Sequence, residues 1–297
     1  ASALHFIYTA SRRTHMKKKY SNIIIVAVFI IGLSLLLYPT IANKWNTYRQ
    51  SKLISNYDAK VEELKKAGKI DYEKEWKNAR DYNSALVPMI LPDSFAIADA
   101  KEEKDRFYES CLNITGDGIM GMVEIPKIDV ELPIYHYTTE EVLKNAAGHL
   151  EGSSLPVGGK STHSVISAHR GLPSAILFTD LDKMKKGDHF MIYVLDDILC
   201  YEVDRISIVK PEDTSDLNVE KGKDLMTLLT CTPYGVNSER LLVRGHRVPY
   251  KEAYSSEKDS SISLETNYIL WVVIGLLLTA ALIGGMYVRE RKKKHEA

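Results

Sequence analysis

The sequence predicts a mainly β domain, a small sandwich or barrel with helices as insertions, held between two membrane-spanning helices. Three observations carry this. From Gly118 onward, short β-rich runs ("IMGMVEIPKI", "VELPIYHY", "THSVISAH", "HFMIYVL", "ILCYEVDRISIVK", "LMTLLTC", "RLLVRGHRVPY") are separated by Gly, Pro, Asp or Asn. Two uncharged apolar runs, "IIIVAVFIIGLSLLLYPTIA" at 23–42 and "YILWVVIGLLLTAALIGGMYV" at 268–288, bracket the chain. At about 1.5 Å per residue, each crosses a hydrocarbon core of about 30 Å. Basic residues flank their outer ends, "MKKKY" before the first and "RERKKKHEA" after the second.

Taken in order, residues 1–22 form a basic tail, with 1–15 set aside as read-through upstream of an expected start at Met16. Residues 23–42 form a transmembrane helix or signal anchor, because Pro39 and bulky neighbours leave no small-x-small cleavage site at its end. Residues 43–87 read as helix: Tyr57, Val61 and Leu64, then Ala79, Tyr82 and Leu86, recur at helical spacing. Gly68 is expected to divide this stretch into two helices, packed on the domain or standing as a stalk. Residues 88–117 hold two prolines and no sustained period, the texture of a lid or binding loop. The β domain occupies 118–250, with short helices expected at 139–146 and 173–177. A polar linker at 251–267 leads to the second span at 268–288 and a basic tail at 289–297. Basic flanks stay in the cytoplasm, so both termini are expected inside and the intervening segment outside.

The formal net charge of zero conceals this arrangement. Removing the two tails and the uncharged runs leaves 29 basic and 37 acidic residues between the spans, a charge of minus 8. An acidic exterior domain argues against nucleic acid as a partner. Cys111, Cys200 and Cys231 are odd in number and widely spaced, so they form no disulfide framework and leave at least one thiol free.

One of these cysteines stands out. Cys231 ends a strand-like run and is followed at once by "TPYG". A strand-end thiol beside a loop becomes a nucleophile when a neighbour lowers its pKa or takes its proton. His169 ends "THSVISAH" in the same manner, and His163, six residues earlier, shares its strand parity. Attack on a carbonyl also requires something to hold the developing oxyanion. Arg240, nine residues after Cys231 across a short turn, supplies a fixed guanidinium fork, and Arg244 lies on the same strand face. Spacing alone does not choose within either pair.

"TLLTCTPYG" matches the TLxTC signature of sortases, "SVISAHRGLP" the stretch that carries their histidine, and "NSERLLVRGHR" the stretch that carries their arginine. With "GMVEIPKI" and "LPIYH", the chain resembles the sortase family over roughly 118–250. The resemblance implies an eight-stranded β-barrel with short helices. It implies Cys231 as nucleophile, His169 as general acid/base and Arg240 as the group that stabilises the carbonyl oxygen. The second span and the long segment before the barrel resemble the pilin-polymerising class C enzymes, which carry an Asp-Pro-aromatic lid motif. Here "LPDSFA" places Asp93 and Phe95 around Ser94, and the proline is absent. Asp93 is expected to pair with Arg240 as an exposed ion pair worth about 0 to 1 kcal/mol. Phe95 is expected to plug the site over the Cys231 sulfur.

The implied activity is cleavage of an LPxTG-like sorting signal of a pilin through a thioacyl intermediate, followed by transfer to a lysine amine of another pilin. The implied partners are pilin subunits and the membrane. Alternatives are a sortase that uses a peptidoglycan precursor as nucleophile, a hydrolytic cysteine protease, and a non-catalytic membrane-tethered pilin assembly scaffold. No metal or organic cofactor is expected, because the chemistry needs none and the sequence has neither HExxH nor EF-hand spacing.

Overall fold

Eight strands close into a barrel in the order β1-β2-β3-β4-β7-β8-β6-β5. The computed structural model describes residues 2–86, 91–95, 105–251, 254, 274–279, 281 and 284–285, with side chains from residue 24 onward. The strands are β1 (Ile119–Ile125), β2 (Val130–His136), β3 (Ala147–His149), β4 (Thr162–Ser167), β5 (His189–Val194), β6 (Asp197–Val209), β7 (Asp224–Thr232) and β8 (Glu239–Val248). Their period-2 patterning sorts side chains to the two faces. Met226 and Leu228 of β7 and Leu241 and Val243 of β8 join the main interior cluster with Phe190, Ile192 and Tyr201. The alternate residues Leu229 and Leu242 face outward into a second cluster with Leu91, Leu150 and Val165.

Seven strands sit where the β-rich runs lie. The eighth, implied by the resemblance but not placed by the β-rich runs, is β3, whose three residues, Ala147, Gly148 and His149, carry no readable period. It pairs parallel with β2 and antiparallel with β4. Gly148 permits this, since a Cβ there would overlap the Tyr137 carbonyl. Ahead of β3, Thr139 caps the short helix α4 (Glu140–Leu143) by accepting from the Val142 amide. The helix expected at 173–177 is instead a tight turn, with an isolated bridge between Leu172 and Ala175.

Ahead of the barrel, one continuous helix, α1 (Ser2–Lys66), includes the first apolar run and passes Pro39 without a break. The stretch Ile24–Lys66 is long and apolar enough to cross a membrane, and its most apolar window is not covered by the rest of the protein. Beyond the apolar run the helix lies on the barrel rather than standing as a stalk: Asn46, Gln50 and Ile54 are buried. Gly68, in the left-handed region, ends the helix, and α2 (Tyr72–Ala85) follows with Asp71 as its cap. The segment 88–117 is not wholly irregular, because Asp105 caps a further helix, α3 (Arg106–Ser110). The Tyr108 hydroxyl of α3 lies 2.7 Å from His149 Nδ1, and the Leu155 amide donates to Asn83 of α2, which fastens these helices to the barrel. The second apolar run and the 251–267 linker lie largely outside the described residues. Positions 274–279 are helical.

Candidate active site

The β7–β8 ladder places Cys231 directly opposite Arg240. Opposed residues of an antiparallel pair point to the same face, so the thiol and the guanidinium share the outer face of the barrel. Their link is short because the chain turns back over residues 233–237, where the Val236 and Asn237 amides both donate to the Pro233 carbonyl.

His169 arrives from the other side. β4 runs parallel to β7, with Ser167 level with Leu229. The contact continues past the end of β4: the Ala168 amide donates to the Leu229 carbonyl, and Thr230 Oγ1 donates to the Ala168 carbonyl at 2.8 Å. This extension carries His169, two residues beyond its strand rather than at its end, to the level of Cys231. The loops after the two residues also meet, since a Cβ on Gly171 would press within 3.1 Å of the Tyr234 ring. Arg170 spans the same gap: its guanidinium donates to Thr232 Oγ1 at 3.1 Å and pairs with Asp182.

The rivals left open by spacing are engaged elsewhere. Arg244 is four residues along β8, roughly 13 Å away at 3.4 Å per residue. It donates to both carboxylate oxygens of Asp204, at 2.9 and 3.0 Å, and to Glu220 at 2.6 Å. His163 is buried, with Nδ1 at 2.9 Å from the Asn218 carbonyl and Nε2 at 2.8 Å from Thr227 Oγ1. Cys111 and Cys200 are fully buried, and burial pushes the Cys111 thiol up to about 11. None of the three cysteines forms a disulfide.

Residues 91–95 lie over the outer face of the barrel. Arg240 Nε and Nη2 donate to the two oxygens of Asp93, both at 2.7 Å. The side chains of this pair are only 10% and 11% exposed, so the ion pair expected to be exposed is a bidentate pair largely shielded from water. Arg240 Nη1 donates to the Asn237 and Glu239 carbonyls. The Phe95 ring lies 5.2 Å from the His169 ring and 5.2 Å from the Arg240 guanidinium carbon. The ring expected over the sulfur therefore packs on the imidazole and guanidinium that flank it. Leu91 is buried among Leu150, Val165, Leu229 and Leu242. Ser94, fully buried, accepts a hydrogen bond from Ser167 Oγ at 2.9 Å. Neither Ser94 nor Arg170 was visible as a site residue in the sequence. Each acts through a partner more than 60 positions away, and the only signal at Ser94 was the absent proline.

Burial favours the neutral forms of the thiol and the imidazole. Cys231 is 6% exposed, and burial pushes its thiol above the ordinary range, with Arg240 opposing and Asp93 adding to the rise. Burial also pushes the His169 imidazole down, Glu140 opposing and Lys144 adding to the fall. Hydrogen bonding to Asp93 holds the Arg240 guanidinium firmly protonated. A thiol, an imidazole and a fixed cation on one face form a set suited to acyl transfer. A cavity of about 240 Å³ lies elsewhere, between α1 and strands β1 and β2, lined among others by Gln50, Glu124 and Ile176.

Residues 123–248 match the model of the sortase domain. Among solved structures, the chain is similar to sortase C1 from Streptococcus agalactiae, with 47% identity, a TM-score of 0.59, and coverage of 67% of this chain and 100% of that one. It is similar to Streptococcus pneumoniae sortase C, described in connection with pilin substrate specificity, at 46% identity and a TM-score of 0.59 over 67% of this chain and 97% of that one. Sortase A of Bacillus anthracis is 26% identical over 79% of this chain and 98% of its own.

Proposed function

The chain belongs to the sortase family of cysteine transpeptidases, and we propose that it is a membrane-anchored, pilin-polymerising enzyme of class C. The observation that carries the class is the lid: a segment outside the matched domain closes on Arg240 and His169. The similarity to pilus-related sortases supports the same reading. In the proposed reaction the Cys231 thiol gives its proton to His169 as its sulfur attacks the threonine carbonyl of an LPxTG-like signal, and Arg240 holds the oxygen as it gains charge. The Thr–Gly bond breaks as His169 protonates the departing glycine amine. A lysine amine of a second pilin then attacks the thioacyl carbon, giving up its proton to His169, and the isopeptide bond forms as the carbon–sulfur bond breaks and His169 returns that proton to the Cys231 sulfur.

The test is incubation of the full chain in vesicles with a pilin bearing both signal and acceptor lysine, followed by mass spectrometry. Covalent ladders joined at lysine support the reading. Product formed only with a peptidoglycan-type amine, or only hydrolysis, would remove the pilin assignment.

Asp93 must leave Arg240 before that guanidinium can meet a substrate carbonyl, so the lid governs access. Hydrogen bonds to charged groups contribute about 1.5 to 3 kcal/mol each, a factor of roughly 10 to 150. Asp93→Ala is expected to raise alkylation of Cys231 by iodoacetamide about 10-fold or more, and Asp93→Ala with Phe95→Ala further still. The thiolate is the reacting form. In the wild type, labelling should therefore climb only above the ordinary thiol range, whereas in the double variant the rise should move to lower pH. Coincident pH profiles would show that the lid does not control the thiol.

Ser94→Ala removes one neutral hydrogen bond from the closed lid, about 0.5 to 1.5 kcal/mol, and should raise the same labelling rate about 2- to 12-fold. Ser167→Ala should do the same, and the two changes together should add little more, because they break one bond. Fully additive effects would mean that the two hydroxyls do not act as a latch.

A further inference from the structure

The bare apolar stretch of α1 ends where the barrel begins. Ile31, Leu35, Tyr38 and Ile41 are exposed, whereas Asn46, Gln50 and Ile54 are buried against the domain. The barrel is anchored on the helix at Asn43, whose Oδ1 accepts from the Ile176 amide at 3.0 Å. Gln50 donates to the Asn145 carbonyl at 2.9 Å two turns later, and Lys60 donates to the Thr115 carbonyl further on. From Asn43 to Lys60 the helix thus runs about 26 Å along the domain, at 1.5 Å per residue.

This fixes the height of Ile176. Its backbone is bonded one residue past the end of the apolar run, a rise of about 1.5 Å. The headgroup layer on each side of a bilayer is roughly 5 to 7 Å thick. The ring pair Trp45 and Tyr48, both exposed with centroids 6.0 Å apart, lies just above on the same helix, and Lys44 is exposed between. Aromatic residues of this kind settle at the membrane–water boundary. Ile176 is 43% exposed, an apolar side chain at the height where lipid headgroups begin.

We propose that the loop 170–177 rests on the bilayer surface, with Ile176 seated among the lipid headgroups. The proposal rests on reading residues 23–42 as a membrane span. The loop leaves directly from His169 and returns at Phe178, whose amide donates to the His169 carbonyl at 3.1 Å. Ile176 is seven residue steps from His169, so the His169 backbone lies within about 25 Å of the headgroup layer even for a fully extended chain. The surface contact thus holds the acyl-transfer centre where a polypeptide emerging from the same bilayer first becomes accessible.

The test uses the full chain in phosphatidylcholine–phosphatidylglycerol vesicles, in a Cys231→Ala background that leaves only the fully buried Cys111 and Cys200. Single cysteines at Leu35→Cys, Ile176→Cys and Val219→Cys carry an environment-sensitive fluorophore. Val219 is exposed and precedes β7, at the opposite end of the β4–β7 pair from the loop. Lipids carrying a quencher near the headgroup should quench position 176. Lipids with a deep quencher should quench position 35, and neither should quench 219. Quenching at 35 without quenching at 176 overturns the loop contact and leaves the membrane span intact. No quenching at 35 overturns both. Equal quenching at 176 and 219 overturns the specific contact, since the domain would then lie on the bilayer without preference.

Discussion

Replacing Cys231 with alanine is expected to abolish covalent product while the barrel stays folded. The thiol is the acyl acceptor in the proposed reaction, and no other cysteine can stand in: Cys111 and Cys200 are fully buried. The structural cost should be small. Cys231 is the penultimate residue of β7 on the outer face, and its ladder bonds to β8 are made by the backbone. Loss of one sulfur there should cost about 1 kcal/mol, a typical value for a single substitution. Mass spectrometry of product together with a thermal melt checks both halves. Persistent pilin ladders from Cys231→Ala would place the nucleophile elsewhere.

Arg240→Ala and His169→Ala are each expected to lower kcat/KM by about 10² to 10⁴, the range for loss of an oxyanion donor or a general acid/base. The informative comparison is with their near neighbours. Arg244→Ala leaves Asp204 without its partner and Glu220 with Lys223 alone, and His163→Ala removes the partner of Thr227 and of the Asn218 carbonyl. Those variants should lower the melting temperature, through losses of about 1 to 3 kcal/mol, with kcat/KM changed far less. The two arginines share one face of β8 and differ in what they face, so rate and stability should separate them. A rate loss for Arg244→Ala equal to that for Arg240→Ala would shift the site along the strand.

The parts of this site that could be read in the sequence are those that depend on near neighbours. Cys231 and Arg240 belong to one hairpin, and a turn of a few residues with strands on both sides predicts their approach. His169 was harder, because His163 has the same parity and only a ladder to a strand 60 residues away decides between them. The Thr230–Ala168 bond beyond the end of β4 has no local signature. β3 is too short to show a period, and α3, five residues long, announces itself only through its cap at Asp105. The expectation of an exposed Asp93–Arg240 pair failed for a similar reason. Solvent is excluded there by Leu91, Phe95 and the outer apolar cluster, which come together only in the folded chain.

The register between β7 and β8 also bears on how this architecture can diversify. Eight backbone pairings, from Leu225 with His246 to Thr232 with Glu239, fix where Cys231 meets Arg240. The turn at 233–238 feeds that register, with the Val236 and Asn237 amides closing it on the Pro233 carbonyl. Its residues can be exchanged without moving the reacting groups only where the turn length is kept and position 237 still offers its carbonyl to Arg240 Nη1. A slip of one residue would instead turn one of the two inward and silence the centre outright. The ladder is thus an invariant ruler, and a graft at 233–238 leaves the chemistry in place only if it preserves the turn and the carbonyl that holds Arg240.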